Sequence, residues 1–285
     1  MSAGEKSRIA VITGASAGVG LAVACELARQ GWRIIGLGRD INRAAQARST
    51  IAAVSGGAVV DMVQADLSVM AEVTRAAREI TAMTTRVDLL INNAGGIPAS
   101  RQVTVDGLEH TFAANHLGPF LLTRELLPLL RAAGRGAQII NVASVAHRFV
   151  KDMLWDDLQG EQNFNFGDAY AQSKLANILF TRALAKRLDD DGVRVNAVHP
   201  GLIHSNFWTH GNLLIKTVYR LARPFSLTPA QGADTILWLA NNASSGTAGY
   251  FVKRKIAPLT PAAESDQGAE RLWAVSEALI AEITV

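Results

Sequence analysis

The chain has 285 residues, 49% of them hydrophobic and 19% charged, with a formal net charge of +3, which excludes long disordered tails and fits a folded α/β protein. Its arginines are scattered, so solvated helix faces are expected rather than a nucleic-acid surface, and the sole cysteine, Cys25, excludes an intrachain disulfide and argues against cysteine-held zinc. No apolar run approaches the roughly 20 residues that span a bilayer, and Met1 to Ser7 is too short for a signal peptide, so a soluble, cytoplasmic protein is expected.

The first predicted element is a strand at Arg8–Thr13. It runs into Gly14-Ala15-Ser16-Ala17-Gly18-Val19-Gly20 and a helix over Val19–Gln30. Glycines at 14, 18 and 20 allow a sharp turn and close approach to a pyrophosphate at the helix N-terminus, where backbone N–H groups lack internal partners. A glycine cluster alone is equally a tight turn; its place on the first strand–helix junction points to dinucleotide binding. The second strand, Trp32–Leu37, leads to Gly38-Arg39-Asp40. An acidic residue here would bind a ribose 2′-hydroxyl, whereas an arginine accommodates a 2′-phosphate. Arg39 therefore favours NADP(H) over NAD(H), with Asp40 as a competing carboxylate if the register shifts by one.

Helix Arg43–Val54, strand Ala58–Gln64, helix Val69–Thr84 and strand Val87–Asn92 continue the alternation. That last strand closes on Asn92-Asn93-Ala94-Gly95, small residues that permit close cofactor approach. A helical run over Asp106–Arg131 carries Asn115, an amide mildly disfavoured there that serves a buried water, a backbone group or a structural hydrogen bond. Strand Ala137–Val142, helix Ala169–Asp190 and strand Val193–Val198 follow. The strands are short β-branched runs without strict alternation, as expected when helices cover both faces. A doubly wound parallel α/β sheet, the Rossmann fold, is expected in one domain over 1–285, with a less regular excursion at about 202–227.

The chemistry gathers at Tyr170-Ala171-Gln172-Ser173-Lys174, where Tyr170 and Lys174 share a helix face. A free phenol has a pKa near 10, and a nearby ammonium is expected to lower it. Such a tyrosine can protonate a carbonyl oxygen or accept an alcohol proton. With 3 tyrosines and 7 lysines in the chain, chance supplies this spacing in roughly 7% of such sequences, so it needs context. Ser144 gives that context, since it follows a strand at the sheet edge where ligands bind; its alternative role is capping a turn.

Together these residues resemble the short-chain dehydrogenase/reductase family. The matching positions are Thr13-Gly14-x-x-x-Gly18-x-Gly20, Asp66, Asn92-Asn93-Ala94-Gly95, Asn115, Ser144, Tyr170-x-x-x-Lys174 and Pro200-Gly201. Asn115-His116-Leu117-Gly118, Ser173-Lys174-Leu175-Ala176-Asn177, His199-Pro200-Gly201 and Arg271-Leu272-Trp273-Ala274-Val275-Ser276-Glu277 are similar to its retinol-dehydrogenase-like branch. The resemblance implies that Ser144 polarises the carbonyl, Tyr170 transfers the proton, and Lys174 lowers the phenol pKa and holds the nicotinamide ribose. It also implies that Asn115 anchors a water relay, that Asp66 lies near the adenine, and that Asn92 and Gly95 lie beside the adenosine. Gly14, Ser16, Gly18, Val19, Gly20, Arg39, Leu67, Asn93, Ala94, Pro200 and Gly201 complete the expected cofactor contacts. Ser205 stands in for the family's usual threonine after Pro-Gly, and no run here supplies the branch's frequent N-terminal membrane anchor. A homodimer or homotetramer through the long helices is implied as well.

The substrate wall is expected from Ala146–Phe166 and Leu202–Phe225. The second stretch holds Phe207, Trp208, Leu213, Leu214, Ile215, Val218, Tyr219 and Leu221, which suits an apolar small molecule, packing against the sheet or a subunit contact. Lys216, Arg220 and Arg223 would serve an anionic surface less readily. No His-x-x-x-His pair exists, so no metal site is expected. The rival readings are a non-catalytic NADP(H)-binding sensor or scaffold, and a sugar-nucleotide epimerase or dehydratase, which would need a larger C-terminal lobe.

Overall fold

A computed structural model describes residues 7–202, 227–242 and 244–284. The elements that open it are β1 (Ile9–Thr13), α1 (Gly18–Arg29), β2 (Arg33–Gly38), α2 (Ile41–Val54), β3 (Val60–Gln64), α3 (Met70–Met83) and β4 (Leu89–Asn92). Then come α4 (His110–Phe112), a π turn (Ala113–Leu117), α5 (Gly118–Ala133), β5 (Gln138–Val142), a 3-10 turn (Val145–Phe149), α6 (Phe166–Arg187) and β6 (Arg194–His199). The chain finishes with α7 (Pro229–Asn241), β7 (Tyr250–Val252), β8 (Lys255–Ile256), α8 (Pro261–Glu264) and α9 (Asp266–Thr284).

The strands form one sheet in the order β3-β2-β1-β4-β5-β6-β7-β8. Every pairing is parallel except β7 with β8. Side chains alternate across a strand, and β1 shows the consequence: Ile9 and Val11 enter one core, Ala10 and Ile12 the other. Both faces are therefore apolar, which explains the unbroken hydrophobic runs. Buried residues of α3, α5, α6 and α9 fill the first core, and those of α1, α2 and α7 the second.

Several expected boundaries move. The helical run expected from Asp106 starts at His110, because the chain first turns back at Gly107 (φ +78°) to form a Val103–Glu109 bridge. The Glu109 carboxylate then caps the helix, accepting from the N–H groups of Thr111 and Phe112. The same run is not uniform, since Ala113–Leu117 is a π turn. Helix α6 begins at Phe166 rather than Ala169, where Asn165 accepts from the N–H groups of Gly167 and Asp168. Of the expected excursion at 202–227, only Leu202 and Leu227 are described.

Helix α9 lies along α6. Arg182 pairs with Asp266 at 2.5 Å and Arg187 with Glu270 at 2.6 Å. The Trp273 ring stands 4.8 Å from Phe120 and 6.1 Å from Phe180, with the Arg187 guanidinium 4.1 Å above it. An association of two chains through this particular face of α6 would have to displace α9. Among the described residues, no helix is long and apolar enough to cross a membrane.

Candidate active site

The carboxyl ends of β1, β4 and β5 converge on one edge of the sheet, and the Thr13 hydroxyl joins two of them. Its oxygen accepts from the N–H groups of Asn93 and Ala94, both at 2.9 Å, while Asn93 Nδ2 donates to Thr13 O. Gly14 and Gly18 turn with φ of +68° and +56°, conformations that favour glycine. Gly20 is required by proximity: a Cβ there would stand 2.3 Å from Gly14 O and 2.5 Å from Asn93 Nδ2. The N-cap residue Ala17 brings no capping side chain, and the first turn of α1 holds no carboxylate. Its N–H groups are thus left to an outside acceptor.

A cleft of about 910 Å³ opens from this turn. Gly14, Ser16, Gly18, Arg39, Asp66, Leu67, Asn93, Ala94 and Gly95 line it, together with Asp40 and Arg43. Val19 and Gly20 sit deeper in α1, and Pro200 and Gly201 follow β6; none of these four lines the cleft. Asn92 also departs from its expected place. It is 4% exposed and donates to Thr123 Oγ1 and Asn141 Oδ1 at 2.9 and 2.8 Å, because alternation along β4 turns it into the interior. Ser205 lies outside the described residues.

The charges at the cleft's far end sort themselves. Asp40 is the N-cap of α2, its carboxylate accepting from Arg43 N at 2.8 Å. Arg39 stays largely exposed, with Nη1 3.5 Å from Asp66 Oδ2. Burial pushes the Asp66 carboxyl up, but hydrogen bonds from the Ser68 backbone and hydroxyl, with Arg39 nearby, outweigh it and hold the group below its ordinary value. Arg43 has no sequence signal beyond its charge, since only the turn into α2 brings it beside Arg39.

At the inner end, a Cβ on Gly95 would lie 3.1 Å from Asn115 Oδ1 and 3.5 Å from Lys174 Nζ. Asn115 is fully buried; it accepts from Gly96 N at 2.8 Å and donates to Gly96 O at 2.9 Å and Ser173 Oγ at 3.0 Å. Lys174 Nζ donates to Val142 O at 3.0 Å and stands 5.5 Å from the centre of the Tyr170 ring. Ser144 shares a hydrogen bond with Tyr170, and its oxygen also accepts from Ala146 N at 3.2 Å. The capping role and the place at the sheet edge are thus combined in one hydroxyl.

Burial governs both titrations. It pushes the Tyr170 phenol up to about 12, with Ser144 pulling part of the way back. It pulls the Lys174 ammonium down to about 8. The net shift of the phenol is thus upward, opposite to the lowering expected from Lys174 alone, because desolvation of the phenolate dominates.

Two supporting residues had little sequence signal. His147 Nδ1 lies 2.7 Å from Ser144 O, so that nitrogen carries the proton and holds the serine backbone. Gln172 donates to Asp152 O and accepts from Leu154 N, tying the segment after Ser144 to α6 midway between Tyr170 and Lys174.

A sequence profile described as short chain dehydrogenase matches residues 8–212. The chain belongs to the short-chain dehydrogenase family. This short-chain dehydrogenase is 41% identical over 271 residues to retinol dehydrogenase 12 of Bos taurus, across 94% of this chain and 85% of the relative. A crystal structure of an uncharacterized protein from Mycobacterium paratuberculosis aligns with a TM-score of 0.77 and 31% identity, over 96% of this chain and 93% of the other. The NADP complex of Pseudomonas aeruginosa RhlG aligns with a TM-score of 0.69 and 28% identity, over 86% and 93%. These likenesses place the dehydrogenase among Rossmann-fold oxidoreductases with retinol-dehydrogenase-like relatives.

Proposed function

We propose that this dehydrogenase interconverts a carbonyl and an alcohol on an apolar small molecule, with NADP(H) as cofactor and Tyr170 as general acid and base. The grouping of Ser144, Tyr170 and Lys174 carries the proposal: Lys174 Nζ lies 3.5 Å from where a Cβ would stand on Gly95, a residue that lines a dinucleotide-sized cleft. The residues fit the cofactor. The uncapped first turn of α1 suits a pyrophosphate, and open space where a Gly18 Cβ would stand lets it approach. At the far end Asp40 is spent as a cap, so Arg39 and Arg43 are the groups available to a 2′-phosphate. The RhlG structure is itself an NADP complex.

When bound, the cofactor supplies or accepts the hydride. Ser144 orients the substrate oxygen by hydrogen bonding, and Tyr170 delivers a proton to that oxygen in reduction or removes it in oxidation. A phenol near 12 is protonated at neutral pH, so Tyr170 stands ready as the acid for carbonyl reduction. Lys174 places positive charge behind the phenol and, by the family resemblance, holds the nicotinamide ribose. Asn115 fixes the Gly96 backbone and Ser173 against one another, which sets the cleft wall relative to α6. Val145, Phe149 and Leu154, which follow Ser144 in the chain, are 38%, 79% and 50% exposed, apolar side chains that suit an apolar substrate.

The test is a panel of aliphatic aldehydes, retinal, ketones and sugars, followed by NADPH absorbance with NADH in parallel. Turnover of apolar aldehydes with NADPH is the expected result. A sugar preference overturns the substrate class, equal use of NADH overturns the cofactor choice, and no turnover of any carbonyl overturns the reaction.

A further inference from the structure

The residue after Asn115 looks away from the cleft and makes a different contact. His116 is fully buried, and its Nε2 lies 2.8 Å from the hydroxyl of Ser276 on α9. The same hydroxyl lies 2.8 Å from Leu272 O, so Ser276 is held between the imidazole and its own helix, and the direction of the His116–Ser276 bond follows the imidazole tautomer. Burial pulls this histidine down to about 3, which keeps it neutral at working pH. The rings of Phe112, Phe120 and Phe180 surround it at 5.1, 6.0 and 5.9 Å. Within this apolar nest the bond to Ser276 is a specific polar contact that ties the π turn to the C-terminal helix.

The π turn matters because successive side chains on a helical backbone diverge, so one short segment faces two ways. On one side Asn115 grips the Gly96 backbone and Ser173; on the other His116 grips α9. Asn177 of α6 stands beside the imidazole and donates from Nδ2 to Val142 O at 3.3 Å. That carbonyl also accepts from Lys174 Nζ. A continuous path of contacts thus leads from α9 to both Asn115 and Lys174.

We propose that the His116–Ser276 hydrogen bond makes the C-terminal helix a positioning element of the active site, fixing the π turn that presents Asn115 and the carbonyl that holds Lys174. The inference rests on the oxidoreductase reading above. His116 and Ser276 touch neither substrate nor cofactor; they act through the residues beside them. A shift of an ångström or less at a supporting contact is enough to slow an oriented reaction without abolishing binding.

The experiment compares Ser276→Ala, the double variant His116→Phe/Ser276→Ala, and Ile280→Ala, an apolar deletion on the same helix. Each is assayed in the full chain for thermal stability, KM for NADPH and kcat for the best aldehyde of the panel. Ser276→Ala is expected to lower kcat about five- to tenfold, the scale of one lost buried hydrogen bond, with KM for NADPH within about twofold. The double variant replaces an orphaned imidazole nitrogen with a ring suited to the aromatic nest, so Tm should recover while kcat stays low. Ile280→Ala should lose stability and keep its kcat at 25 °C.

Wild-type kcat in Ser276→Ala overturns the proposal. So does recovery of kcat together with Tm in the double variant, or an equal loss of kcat in Ile280→Ala. If the double variant does not fold, the contrast between the two single variants decides. An inactive wild-type protein would instead sink the oxidoreductase reading, and the positioning role with it.

Discussion

Tyr170 and Lys174 share one helix face and one environment, and the same desolvation pushes their pKa values in opposite directions, to about 12 and about 8. The two values cross and move apart, the phenol now above the ammonium, so at neutral pH the pair is a neutral phenol beside a mostly charged amine. Alcohol oxidation needs a phenolate and should therefore accelerate as pH rises from 7 to 9.5. Carbonyl reduction uses the phenol as it stands and should show no such rise. Initial rates in both directions across that range decide the matter, and an oxidation rate independent of pH would contradict the assignment. Tyr170→Phe should lower kcat by about 10²- to 10⁴-fold, the usual weight of a positioned acid or base, with NADPH affinity nearly unchanged in titrations. Lys174 also leaves a mark on stability. Its folded pKa lies below the unfolded value of 10.5, so the unfolded chain binds more protons between pH 8 and 10.5, and stability rises with pH there. Against Lys174→Met, the wild-type protein should gain up to about 3 kcal/mol over that window. Denaturant unfolding at pH 7.5 and pH 10 measures this, and a constant difference would show that the ammonium is not desolvated. At the cofactor's far end, Arg39→Ala should weaken NADPH more than NADH, and Arg39→Ala/Arg43→Ala more again; equal losses for both cofactors would reject the phosphate reading.

At the scale of elements, the phosphate turn works only because helix α1, the turn before it and the end of β4 touch backbone to backbone. Gly20→Ala would force a Cβ to within 2.3 Å of Gly14 O, an overpacking expected to cost about 1–3 kcal/mol and to weaken NADPH binding with it. Thermal melts with and without NADPH test this, and a variant that binds normally would show the contact to be slack. The glycine pattern was legible from the sequence because it states a steric requirement directly. The six strands from β1 to β6 and their helices were legible for a similar reason, as unbroken apolar runs are what a two-faced sheet demands. The C-terminal elements were missed for differing reasons. Strand β7 has three residues, and the turn into β8 places Lys253 and Arg254 at φ of +50° and +62° without the Asn-Gly signature that marks such hairpins. Helix α7 did carry a signal, the capping box of Thr228 and Gln231. The π turn within 106–131 has no sequence mark at all, since the register slip arises from packing rather than local preference. For the candidate site, Tyr170 and Lys174 could be named from spacing and Ser144 from its place after a strand. Their burial could not, and burial is what sets the phenol's pKa above its ordinary value.

For the molecule as a whole, the sheet divides two apolar cores, and the larger is closed by α9. Leu272 and Ile280 of that helix are 1% and 0% exposed, and Ser276 is buried between them. Trp273 packs on Phe120 and Phe180, and ion pairs flank the contact with α6. Exposed ion pairs contribute little individually, so the apolar stripe and the buried hydrogen bond to His116 hold the helix in place. α9 should then unfold together with the sheet rather than as a separate appendage. Native-state hydrogen exchange offers the test: amides in the middle of α9 should exchange by the same global opening as those of β5. Trp273→Ala, which removes a half-buried ring, should lower global stability by about 2–4 kcal/mol, discounted slightly from a fully buried aromatic. Both sets of amides should accelerate together in that variant. If α9 exchanges orders of magnitude faster than β5 in the wild-type protein, the helix frays independently and leaves α6 open for a second chain. Cooperative exchange would mean instead that this face of α6 is already partnered within its own chain, so association through it would first have to displace α9.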